Sequence, residues 1–141
     1  MNVTRVILGG LLAGLVLNVG EAALHGVVLA DATAAAMTAL GRAATGSNAG
    51  LASLIGITFL QGVLGVMLVA LLISRGATRP VGAVLAGLAL WMSSGVYSAV
   101  YIGAGLPNVM PADVVWWPVA WELVEYPLAI FIGALAYKPR A

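Results

Sequence analysis

The chain has 141 residues, 62 % of them hydrophobic and only 8 % charged, with a net charge of +1 and no cysteine. A water-soluble domain carries about 25 % charged residues, so this chain cannot clothe an aqueous surface, and lipid is its natural solvent. The near-neutral charge leaves no footprint for nucleic acid, and the lack of cysteine excludes disulfides, thiolate metal sites, c-type haem attachment and thiol redox chemistry.

A helix that crosses a bilayer needs about 20 mostly apolar residues. Four stretches qualify, from about Val6 to Leu29, Leu51 to Ile73, Pro80 to Gly103 and Val114 to Tyr137. Their apolar residues run continuously and do not alternate, which predicts helices; a helix also satisfies its backbone groups within the segment. The expected fold is all-α: a single domain over residues 1–141, built as an up-down-up-down four-helix transmembrane bundle.

Span one has the outline of a signal peptide, with Arg5 before an apolar run and Ala30-Asp31-Ala32 after it. The run is too long for that, and Asn18, Glu21 and His25 interrupt it, so it reads as a membrane helix. Beyond it, Asp31 is a suitable N-cap for the Ala-rich ATAAAMTAL, and Gly41 a suitable stop. A short helix at the outer interface is expected, although the same propensities also fit a continuation of span one. TGSNAG then leads as a loop into span two.

Basic residues set the orientation. Arg5, Arg75, Arg79, Lys138 and Arg140 fall on one side of the four spans, against Arg42 on the other. The positive-inside rule then places both termini in the cytoplasm and the segments 30–50 and 104–112 outside. Trp116, Trp117 and Trp121 suit an outer aromatic belt. In span four, Pro118 is tolerable if it lies in the first turn, while Pro127 is interior and predicts a kink. The small-residue pairs Gly10/Gly14 and Gly82/Ala86 read as helix-packing contacts within the bundle rather than a dimer interface.

The charges are segregated. Basic residues and both aspartates lie at span ends or in loops, whereas all three glutamates, Glu21, Glu122 and Glu125, lie inside spans. Glu21 and His25 share one helix face, and Asn18 joins it three residues earlier. Glu122 and Glu125 are likewise neighbours on span four. Span two adds Thr58 and Gln61, and span three adds Ser94, Tyr97, Ser98 and Tyr101. At about 1.5 Å per residue, Glu21 and Glu122 each come out roughly 12 Å below the outer ends of their spans, Gln61 and Ser94 roughly 15 Å and Tyr97 roughly 9 Å. Helices of opposite direction thus place their polar residues in one outer layer.

The expected binding residues are Asn18, Glu21, His25, Gln61, Ser94, Tyr97, Glu122 and Glu125. Three carboxyls face one imidazole there with no Lys or Arg at the same depth. A buried, unpartnered carboxylate is costly, so a proton, water or a bound cation must balance the charge. Four readings follow: a proton, cation or small-molecule site; a hydrogen-bonded network that fixes helix register; a metal or haem site; or an accessory subunit of a larger membrane complex. For a metal, Glu21, His25 and Glu122 are the candidate ligands, but the Glu-x-x-His pattern of di-iron bundles is absent. No nucleophile–base pair or phosphate loop occurs, so an enzyme is not the favoured class and no cofactor is identified.

The opening RVILGGLLAGLVLNVGEAALHGVVLADATAAAMTALG and the ending VAWELVEYPLAIFIGALAYKP resemble small bacterial four-span membrane proteins. That resemblance implies a four-helix fold in a bacterial cytoplasmic membrane and implies no activity. Small multidrug transporters also have four spans and a glutamate in the first, but their other signatures are missing and this chain is longer, so that likeness is analogy alone. The expected partners are the lipid bilayer and either further copies of the chain or a larger membrane complex.

Overall fold

In the computed structural model, residues 1–42, 47–105 and 110–138 are described. Among them every regular element is a helix. Four are long and apolar enough to cross a membrane: α1 (Val3–Val28), α3 (Asn48–Ser74), α4 (Arg79–Gly103) and α5 (Ala112–Leu135). Between the first two lies a short helix, α2 (Ala30–Ala39). Parts of the two expected outer loops, residues 43–46 and 106–109, and the basic residue Arg140 lie outside the described residues.

Local chemistry fixes the helix ends. The Asn2 side chain accepts from the Arg5 amide (3.3 Å), and Ser47 Oγ accepts from the Gly50 amide (3.1 Å), each capping orphan donors of a first turn. Helices α2 and α3 both close on a glycine in the left-handed region, Gly41 (φ 66°) and Gly76 (φ 93°). In each case the next residue reaches back to a carbonyl five residues earlier, Arg42 to Met37 (2.9 Å) and Ala77 to Leu72 (3.0 Å). Asp31 is not the N-cap expected of it; Leu29 is. The reason lies in α1, whose last turn is π-helical over Leu24–Val28 and closes with the Leu29 amide on the Leu24 carbonyl (2.8 Å). The chain breaks there, and α2 starts ahead of Asp31, leaving the aspartate in its first turn, where negative charge suits the helix dipole.

The long helices close a ring in which α1 packs on α3 and α5, and α4 packs on α3 and α5. Small residues set the spacing. A Cβ on Gly10 would run into the Val63 backbone, one on Gly62 into Gly10 and Gly14, and one on Gly133 into Gly9. Gly10 and Gly14 are thus spent on the α1–α3 contact within the chain. At such separations many atoms meet at van der Waals distance, the main source of helix association where no hydrophobic force acts. The core between the helices is formed by Leu17, Val66, Val69, Ala129 and Ile130, all fully buried.

Two further π turns, Met92–Val96 and Tyr101–Gly105, lie in and beyond α4. Such turns insert an extra residue in a helix and recur at functional sites.

Candidate functional site

The interior face of α5 carries Glu122, Glu125 and Tyr126, then Ala129, Ile130, Gly133 and Ala134, all buried. The spacing of three and four residues is that of one helix face. The two glutamates therefore replace apolar residues on the stripe that faces the bundle. They are 9 % and 8 % exposed. Glu122 Oε2 and both carboxyl oxygens of Glu125 are buried without a hydrogen-bond partner among the described residues.

Two glycines make room for these carboxyls. A Cβ on Gly20 of α1 would overlap the Glu125 carboxyl, and a Cβ on Gly95 of α4 would overlap that of Glu122. Gly95 belongs to the π turn Met92–Val96, so the widened turn is the part of α4 that lies against Glu122.

Glu21 and His25 form the partly exposed side of the cluster. His25 Nε2 lies 3.2 Å from Glu21 Oε2, with side chains 46 % and 28 % exposed respectively. Both lie within electrostatic range of Glu122. His25 sits in the π turn that ends α1.

A second polar chain crosses the interior. The Tyr126 hydroxyl donates to Gln61 Oε1 (3.2 Å) and lies 3.2 Å from Ser94 Oγ, whose proton also faces the Leu90 carbonyl at 2.7 Å. One residue each from α3, α4 and α5 meets in this chain. Close by, Trp91 Nε1 donates to the Val119 carbonyl (2.8 Å), which ties α4 to α5 again.

The expected site residues therefore separate into groups. Glu21 pairs with His25, Gln61 and Ser94 meet through Tyr126, and Glu122 and Glu125 are buried side by side on α5. Asn18 turns back to its own helix, donating to the Gly14 carbonyl (2.8 Å). Thr58 does the same with Leu54 (2.8 Å). Tyr97 faces outward, 66 % exposed, and stacks on Tyr101 with ring centroids 6.4 Å apart. It belongs to the bundle surface and not to the interior cluster. As for a metal, no three His, Asp or Glu side chains gather as a possible ligand set among the described residues, so Glu21, His25 and Glu122 do not form one.

Tyr126 was missed as a site residue. Its position gave the signal: it follows Glu125 directly and lies four residues after Glu122, one turn along the same face.

The class these features define is a small helical protein with four candidate membrane spans and buried carboxyls in its interior. No family model, curated protein or solved structure matches the chain.

Proposed function

We propose that this is a four-span protein of a bacterial cytoplasmic membrane, crossing up-down-up-down, whose buried Glu122 and Glu125 bind and release a proton from the outer side. Several contacts support the alternating course. Gly9 lies against Gly133 while Gly20 lies against Glu125, and Gly10 lies against Val63 while Gly14 lies against Phe59. Arg5, Arg75, Arg79 and Lys138 share the end assigned to the cytoplasm. Helix α2 then lies at the outer interface, beside the mouth formed by Glu21 and His25.

The observation that carries the reading is the set of unpartnered buried carboxyl oxygens on Glu122 and Glu125. Each carboxyl is pressed against a glycine of a neighbouring helix, which has no side-chain oxygen to offer a metal cation. A proton needs one oxygen and no shell. The Glu21–His25 pair, half in and half out of the bundle, is suited to relay protons between the aqueous side and Glu122.

Infrared difference spectroscopy on protein in lipid nanodiscs tests this. Changing the pH of the medium should alter carboxylic-acid absorption, and Glu125→Gln and Glu122→Gln should each remove part of that change. Carboxyl bands that ignore the medium in the wild type would overturn the proposal.

A second reading makes the polar layer a structural network in an accessory subunit of a larger membrane complex. The Gln61–Tyr126–Ser94 chain favours it, because polar side chains joining three helices act as interhelical glue. Native mass spectrometry after mild detergent extraction separates the two: an accessory subunit leaves the membrane with other proteins bound, whereas a self-contained proton-binding protein leaves alone or with further copies of itself.

A further inference from the structure

At the end of the molecule away from the glutamates, α3 and α4 part to leave a groove of about 430 Å³. Leu68, Leu71 and Leu72 of α3 form one wall, Leu85, Ala86 and Ala89 of α4 the other, and Arg75 stands at its end. The two alanines set against leucines account for the hollow. Leu71, Leu85 and Ala89 are exposed, so the groove opens sideways, towards where lipid lies around a spanning helix. From Leu68 to Arg75 it runs two turns, roughly 10 Å.

The charged side chains described at this end of the molecule are of one sign. Arg75 is exposed and makes no ion pair among the described residues. Arg79, across the turn, donates to the Tyr137 carbonyl (3.2 Å), which brings the exposed Lys138 to the same end. Arg5 lies at this end too, and all five acidic side chains of the chain lie elsewhere. An apolar groove that ends on a guanidinium without an ion pair, at the basic end of the molecule, matches a molecule with a hydrocarbon chain and an anionic head. Basic pockets between helices bind anionic lipid headgroups on this principle.

We propose that the groove between α3 and α4 is a binding site for an anionic phospholipid, with one acyl chain along Leu68, Leu72 and Ala89 and the phosphate at Arg75. The site is separate from the carboxyl cluster and does not depend on its function. A guanidinium suits the phosphate because it offers paired donors in one plane.

Native mass spectrometry of the full chain released from nanodiscs tests it. Nanodiscs of mixed phosphatidylglycerol and phosphatidylcholine should yield protein that retains phosphatidylglycerol in preference, by about fivefold, the weight of one basic residue at an anionic surface. Arg75→Gln should abolish the preference, while Arg5→Gln, at the same end but off the groove, should keep it. Ala89→Phe, which fills the groove at an exposed position, should lower retention of both lipids, with helix content by circular dichroism confirming the fold. Equal retention of the two lipids by the wild type, or a preference that survives Arg75→Gln, would overturn the proposal.

Discussion

The Glu125 carboxyl occupies the space that a side chain on Gly20 would fill, so a residue of α1 with no side chain and a buried acid of α5 form one fitted contact. Their fit gives the first prediction. Gly20→Ala puts a methyl group where the carboxyl lies, so the Glu125 side chain must swing off its rotamer at a cost of about 0.5–1.5 kcal/mol. Combined with Glu125→Ala the same change should cost much less, because the colliding group is gone. A double-mutant cycle by thermal unfolding in detergent measures the coupling, expected at about 0.5–3 kcal/mol. Additive costs would mean that the two residues do not touch. Gly95→Ala with Glu122→Ala should behave in the same way.

Glycines of the same helices should differ sharply in tolerance. Gly10 and Gly62 lie against backbone of the facing helix, and larger residues there should prevent assembly of α1 on α3. Gly26 and Gly56 face open space within 4 Å. Alanine at Gly56 removes unfolded-state freedom without a clash and should leave stability unchanged or raise it by about 0.4–1 kcal/mol. Melting temperatures of Gly10→Leu and Gly56→Ala in one detergent provide the comparison.

Tyr126→Phe removes the hydroxyl that joins Gln61 to Ser94. Hydrogen bonds between membrane helices average about 0.6 kcal/mol, so the loss should be modest, near 1 kcal/mol. The sharper expectation is non-additivity: once Tyr126 is Phe, Gln61→Leu should cost less than it does in the wild type. Equal cost in both backgrounds would dissolve the network.

Much of this was legible in the residues, and what was not has a common cause. The four long helices followed from apolar runs alone, because a continuous apolar run of about 20 residues has the length of a bilayer-crossing helix and satisfies its backbone within itself. The burial of Glu122 and Glu125 followed from their place on span four. Counting along an axis gives depth, but it does not give rotation about the axis. Tyr97 lies three residues after Ser94, which on an α-helix is the same face. The π turn Met92–Val96 takes more residues per revolution, so the position three residues on swings away from the interior. Asn18 turns to its own helix for a different reason. A short amide side chain can satisfy itself on its own helix backbone, and no spacing rule foretells which partner it takes.

Topology is open to a chemical test, since the chain has no cysteine of its own. Single cysteines at the exposed positions Leu40 and Lys138 report opposite ends. In intact cells a membrane-impermeant maleimide should label Leu40→Cys at once and Lys138→Cys only after permeabilisation. Labelling in the reverse order would invert the molecule, and equal labelling of both would contradict the three crossings that separate Leu40 from Lys138.

Below Glu125 the bundle is filled by Leu17, Val66, Val69, Ala83, Ala129 and Ile130, all fully buried and apolar, down to the basic end. If Glu122 and Glu125 take up a proton from the glutamate side as proposed, that proton meets apolar packing beyond them, and this has an electrical meaning. Carrying one elementary charge through the whole membrane potential is worth about 2.3 kcal/mol per 100 mV. A proton that halts at Glu125 crosses only the outer share of that field, and it returns along the path by which it came. Occupancy would then track voltage weakly and without dissipating it, so that in a living membrane the site would behave as a capacitor rather than a conductor.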